Sequence, residues 1–142
     1  MSDTKQIVRQ VEEAWARNDL SALDSLIAQD MNSHDAIPGF PGGLAGAKAA
    51  HGMFMDAFPD RAVNIDKVFG EGDLVCVQTT VKGTNTGSFM GGPPTGRPIN
   101  ITSLSIYRLA GGKVVEHWGL NDASALMIQL GLMPAPGAGA PA

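Results

Sequence analysis

The chain has 142 residues, ten basic against fourteen acidic side chains and a net charge of −4, with no two Lys or Arg residues adjacent. That length suits one domain, able to bury roughly 68–70% of its unfolded surface around a core with room for a pocket. The acidic, unclustered charge argues against nucleic acid and against an anionic membrane surface as partners.

A single cysteine, Cys76, cannot form an internal disulfide, so nothing calls for an oxidising compartment. Met1 to Gln10 carries scattered charges without an apolar signal-peptide core, and no run approaches the ~20 residues that span a bilayer. A soluble, cytoplasmic protein is the expectation.

In chain order, Ile7, Val8, Val11, Ala14 and Trp15 form one stripe of period 3.6, which predicts a helix over 4–17. Asn18-Asp19 breaks it and offers an N-cap to a second amphipathic run with Leu20, Leu23, Leu26 and Ile27. A short extended piece around Met31 to His34 precedes a Pro/Gly loop over 38–43. A third helix is expected from Leu44 to Phe58, with Leu44, Ala47, His51, Phe54, Met55 and Phe58 on one face and Pro59 at its end.

From Arg61 the period changes to two. Four strands are predicted, over 62–69, 74–82, 99–109 and 113–120, with Gly70-Glu71-Gly72-Asp73 and Ala110-Gly111-Gly112 closing antiparallel hairpins. The long Gly/Pro segment 83–98 reads as a loop at a pocket mouth. A last helix over 123–130 leads to a low-complexity tail, 134–142, expected to be disordered and distinct from a domain spanning 1–133. Helices followed by an antiparallel sheet give an α+β class, a curved sheet whose concave face is capped by amphipathic helices.

Several pieces in order resemble the SnoaL-like polyketide cyclases, of the ketosteroid-isomerase and nuclear-transport-factor type of fold. They are His34, Ala57-Phe58-Pro59-Asp60, Gly72-Asp73, Gly83-Thr84-Asn85-Thr86-Gly87-Ser88-Phe89, Pro94-Thr95-Gly96, and the run Gly112-Lys113-Val114-Val115-Glu116-His117-Trp118-Gly119-Leu120-Asn121-Asp122. The resemblance implies a cone-shaped barrel of antiparallel sheet, a homodimer, a mostly apolar cavity for a small hydrophobic molecule and no cofactor. It also implies an intramolecular aldol condensation closing a ring, with Asp122 matching the general acid/base.

The residues themselves leave choices open. Asp122 in Asn121-Asp122-Ala123-Ser124 is also a good helix N-cap, and a helix start lowers a carboxyl pKa where a base needs it raised. Only one of His117 and Trp118 can face the cone, and His117, sharing its face with Val115 and Gly119, is the expected one. It reads as catalytic or as a half-buried structural imidazole. His51 on an apolar helix face needs a partner or a ligand, and His34 before the loop is a pocket candidate. Trp15, Phe54, Phe58, Phe89 and Met90 line a pocket for a flat substrate or simply fill core.

No metal site is expected, because positions 34, 51 and 117 have no paired-ligand spacing. Gly91 and Gly96 are followed by Arg97-Pro98 instead of Lys-Ser/Thr, so nucleotide binding has no support. Ser88 lacks a nucleophile elbow, and Cys76 reads as inert core. Three functions follow. One is a cofactor-independent acid/base catalyst, either a cyclase or an isomerase, dehydratase or epoxide hydrolase using the same aspartate. The others are a non-catalytic binder of an apolar ligand and a dimeric interaction module.

Overall fold

The computed structural model describes residues 4–35 and 38–135. Helix α1 (Thr4–Ala16) is followed by a 3-10 helix (Leu20–Ser25), strand β1 (Ile27–Ser33), helix α2 (Gly43–Ala57), strands β2 (Ala62–Glu71), β3 (Leu74–Thr84), β4 (Pro98–Ala110) and β5 (Lys113–Asn121), and helix α3 (Ala123–Gln129). Of the expected tail, 136–142 lie outside the described residues. No described helix is long and apolar enough to cross a membrane.

The five strands form one sheet in the order β1-β5-β4-β3-β2. Successive strands from β2 to β5 pair antiparallel, as the glycine turns demand, while β1 pairs parallel to β5. The expected α+β class and curved, helix-capped sheet are present; the sheet differs from an all-antiparallel barrel in that β1 makes it mixed and, among the described residues, it stays unclosed with β1 and β2 at its edges. Parallel pairing needs a long crossover, and α2 with the three strands after it supplies one. Register breaks interrupt β2 after Ile65 and the β4–β5 ladder between Arg108 and Leu109. Such bulges sharpen the local twist that bends a sheet.

The second run also differs from expectation. It folds as a single 3-10 segment, and Asp19 makes no side-chain bond to its backbone. Leu23 is fully buried while Ile27 already opens β1. The α1 stripe packs as predicted: Val8, Val11 and Ala14 have no exposed surface and meet Val75, Val77, Leu109 and Val114 of the sheet. A second cluster joins Ala57, Phe58, Val81, Ile99, Ile101, Leu126 and Leu130. Fully burying each Leu, Ile or Phe contributes about 1.5–3 kcal/mol.

The segment after β3 is pinned rather than open. Asn85, 1% exposed, donates from Nδ2 to the carbonyls of Ala57 (3.3 Å) and Gly87 (2.8 Å) and accepts from Thr95 N and Oγ1, both at 2.9 Å. Phe89 then packs against Phe54 and Phe58, so this loop closes the second cluster and does not form the expected pocket mouth.

Candidate active site

The β4–β5 register sets Tyr107 opposite His117, Ser105 opposite Gly119 and Ser103 opposite Asn121. Alternation aims these six positions at the concave face that carries α1, and Trp118 at the convex face. His117 does point inward. The register break moves Val114, fully buried, onto its face in place of the expected Val115.

The imidazole is held from both sides. Nδ1 lies 3.0 Å from Asp35 Oδ1 and Nε2 lies 3.1 Å from Ser105 Oγ, with the Tyr107 ring 4.8 Å away. Asp35 follows β1, and Ser33 Oγ donates to the same carboxylate at 2.8 Å. Burial pushes the Asp35 carboxyl up, but hydrogen bonds from His117 and Ser33 and the charge of His117 outweigh it and hold the group below the usual range. An ionised Asp35 fixes the Nδ1–H tautomer of His117 and leaves Nε2 for chemistry.

Gly119 makes this approach possible. A Cβ there would meet Asp35 Oδ2 at 2.5 Å and His117 Cε1 at 2.9 Å. Below the dyad, Tyr107 donates its hydroxyl proton to Glu12 Oε1 at 2.5 Å. Glu12 is 8% exposed. Desolvation pushes its carboxyl above the ordinary value against the lowering effects of Tyr107, His117 and Arg61.

The predicted histidines separate. His51, 8% exposed, places Nε2 2.8 Å from Asn18 Oδ1 and Nδ1 3.3 Å from Arg61 Nη1. With Arg61 donating to Nδ1, Nε2 carries the proton and the ring is neutral. Burial, then the Arg61 charge, lowers its pKa to about 4. Arg61 also donates from Nη2 to the Trp15 carbonyl at 2.5 Å, and its buried Nε has no partner among the described residues. This is a structural nest, and Trp15 stacks obliquely on His51 within it.

His34 is on the other side of the sheet. It stacks on Trp118 with ring centroids 4.7 Å apart, and its Nε2 lies 2.6 Å from Glu116 Oε2, while Arg108 bridges Glu116 and Asp73. The expectation of His34 in the pocket is corrected by one residue: next to it, Asp35 takes the concave side. Cys76 also sits partly exposed on the convex side, opposite Ile106, where burial raises its thiol pKa.

Asp122 is exposed and is the N-cap of α3, its Oδ1 accepting from Ala125 N at 3.1 Å. Phe54 and Phe58 stack on one another as core with Phe89, and Met90 is 68% exposed at the turn tip. Beside Asp35 lies a partly open cavity of about 40 Å³ walled by Asp35, Phe40, Pro41, Gly43, Gly46, Ala47 and Ala50. None of the predicted lining residues borders it. Pockets for drug-sized ligands measure roughly 300 Å³ or more, so a large substrate does not fit within this cavity as it stands.

Asp35, His117 and Ser105 stand in the order of a nucleophilic triad. Acyl transfer also needs donors for an oxyanion, and the Ser105 backbone is engaged in ladders to Val77 and Gly119 on both sides. Proton transfer is the chemistry this array fits. Sequence reading missed Asp35, Ser105, Tyr107 and Glu12, although Glu12 lies with Val8, Val11 and Trp15 at spacings that place a carboxyl on an apolar stripe. Among the described residues, no group of three His, Cys, Asp or Glu side chains gathers to hold a metal.

No match is found among curated proteins. IdmH of Streptomyces antibioticus, a candidate polyketide cyclase, is 33% identical over 92% of this chain and 99% of its own, with a TM-score of 0.80. AclR of Streptomyces galilaeus, a candidate hydroxylase, is 30% identical over 93% of this chain and 83% of its own, with a TM-score of 0.78. A SnoaL-like protein of Jannaschia sp. CCS1 shares the fold at 24% identity and a TM-score of 0.76, over 91% of this chain and 94% of its own. The SnoaL-like polyketide cyclase profile matches residues 5–130. With that match spanning nearly the whole domain, the chain belongs to the SnoaL-like polyketide cyclase family.

Proposed function

We propose that the protein is a cofactor-independent acid/base catalyst that closes a ring in a hydrophobic ketone or ester by intramolecular aldol condensation. The observation that carries this reading is the Asp35–His117–Ser105 array on the concave floor. His117 Nε2, directly or through the Ser105 hydroxyl, removes a proton alpha to a carbonyl and returns one to the new alkoxide. Asp35 holds the ring and stabilises the imidazolium. Proton transfer by a positioned group contributes typically ~10²–10⁴-fold, the rest coming from holding the reacting carbons together. Family membership and the likeness to IdmH support a cyclase-type function. Isomerisation, dehydration or epoxide opening would use the same dyad on a different bond.

Asp122, matched to the family's acid/base, is the alternative catalytic group. Its engagement with α3 favours His117. The test is conversion of an aromatic polyketide-like keto ester, followed by chromatography, in wild type, His117→Gln and Asp122→Asn. Loss in His117→Gln alone supports this assignment; loss in Asp122→Asn alone transfers the role to Asp122.

The service of Asp122 to the α3 backbone favours one second reading, a binding protein without turnover. Such a protein would bind the ester and convert none of it. A homodimer in the cytoplasm is the proposed state. The convex face exposes Leu104 (43%), Ile106 (41%), Leu120 (75%) and Phe69 (58%), with Leu104 opposite Leu120 in the ladder, and an apolar face of this kind is suited to a self-complementary contact.

A further inference from the structure

Among the described residues, two separate apolar clusters share the concave face. One includes Val75, Val77, Tyr107 and Leu109 against α1, and the other Val81, Ile101, Leu126 and Leu130 at α3. Between them the register sets Thr79 opposite Ser103 and Ser103 opposite Asn121, a row of three polar side chains across β3, β4 and β5. Packing alone would favour apolar residues there, because a polar group taken from water without a partner costs free energy.

The row does not satisfy itself. Ser103 Oγ donates to Asn121 Oδ1, which leaves the Nδ2 protons of Asn121 without an acceptor among the described residues. Thr79 is 5% exposed, and its hydroxyl has no hydrogen-bond partner among them either. Arg61 Nε is the only fully enclosed side-chain polar atom without a partner among the described residues, so the Thr79 hydroxyl still opens onto this face. Exposure rises from Thr79 through half-buried Ser103 to exposed Asn121, and the row is therefore reached from the β5 side.

We propose that Thr79, Ser103 and Asn121 form a subsite that binds a carbonyl oxygen of the substrate remote from its reacting carbon. The uncommitted groups of Thr79 and Asn121 are donors, so they suit an acceptor oxygen. Their neighbours on the same face, Val77, Val81, Ile101, Ser105 and Gly119, carry no charge, so a neutral carbonyl fits while a carboxylate or phosphate finds no counter-charge. Ser105 Oγ is 3.1 Å from His117 Nε2, and Ser103 stands two residues further along β4, about 7 Å away. A flat ketone whose alpha carbon meets His117 places a second oxygen in the row. This role rests on the acid/base reading of His117 and deepens it: the substrate class is a hydrophobic diketone or keto ester with oxygens at both ends, and the row selects which alpha carbon reaches the base.

The test reads binding instead of turnover. Its probes are para-diacetylbenzene, a flat diketone with an acceptor oxygen at each end, and acetophenone, which has one. In titrations followed by protein NMR, wild type should bind the diketone about three- to tenfold more tightly than acetophenone, the worth of one neutral hydrogen bond. Asn121→Ala and Thr79→Val should each bring that ratio toward one and leave acetophenone binding unchanged. Thr79→Val also replaces an unpartnered hydroxyl by a methyl group, so its melting temperature should hold or rise while diketone affinity falls. Equal affinities in wild type, no binding of either ketone, or a ratio unchanged in either folded variant overturns the proposal. Should Thr79→Val not fold, Asn121→Ala, at an exposed position, decides alone. A wild-type ratio above threefold that both variants abolish, in a protein that exchanges no alpha hydrogens, supports the subsite and refutes the acid/base reading alone.

Discussion

Gly119→Ala probes the dyad without touching either of its members. A Cβ at 119 would sit 2.5 Å from Asp35 Oδ2 and 2.9 Å from His117 Cε1, where ordinary contacts begin near 3.4 Å. The Asp35 carboxylate must retreat by about 1 Å, and a bond of 3.0 Å to Nδ1 then passes beyond hydrogen-bond range. A hydrogen bond to a charged group is worth roughly 1.5–3 kcal/mol, so stabilisation of the imidazolium should fall roughly 10- to 150-fold and turnover with it. Folding responds differently, because alanine regains about 0.5–1 kcal/mol of backbone entropy that glycine forfeits in a strand. The expected variant has a melting temperature within a few degrees of wild type and a turnover at least tenfold lower. Turnover of the keto ester and a crystal structure of the variant check this. Full activity with Asp35 displaced would show that the carboxylate does not orient His117.

His51 predicts acid sensitivity. Its folded-state pKa of about 4 lies below the ordinary 6.5, so the stability it contributes is complete above pH 6.5 and is lost as pH falls toward 4, by at most about 3 kcal/mol. In urea titrations between pH 7 and 4, His51→Gln should flatten this loss; an unchanged slope would mean that other groups dominate. Asp122→Ala removes the α3 cap and should cost about 1 kcal/mol by chemical denaturation. No loss would show that the cap is dispensable. For the convex face, Leu104→Asp should convert a dimer to monomer in light scattering, and a monomeric wild type would refute the proposed contact.

Local chemistry made most of the fold legible. Gly72 and Gly111 occupy positive φ values of 61° and 60° in the two hairpin turns, where a side chain is strained, so both turns could be placed from composition. The α1 stripe and the end of α2 before Pro59 follow from period and proline chemistry. Strand alternation chose correctly between His117 and Trp118, yet could not foresee the register break that buries Val114. What stayed hidden is what long-range pairing creates. β1 joins β5 across more than eighty residues, and only that pairing brings Asp35 to His117. The neighbouring His34 drew attention because of its residue type, while a shift of one position decides which side of the sheet a side chain serves. Glu12 carried a readable signal, a carboxyl on an apolar stripe, but its partner Tyr107 could not be inferred from spacing.

In the proposed mechanism His117, held by Asp35, moves the proton. Exchange of the alpha hydrogens of an aromatic polyketide-like keto ester in D₂O, followed by NMR, reads that step without requiring ring closure. Protein-dependent exchange is expected in wild type, with its loss in His117→Gln and its persistence in Asp122→Asn. Persistence in His117→Gln with loss in Asp122→Asn, or no exchange in any form, would contradict this mechanism.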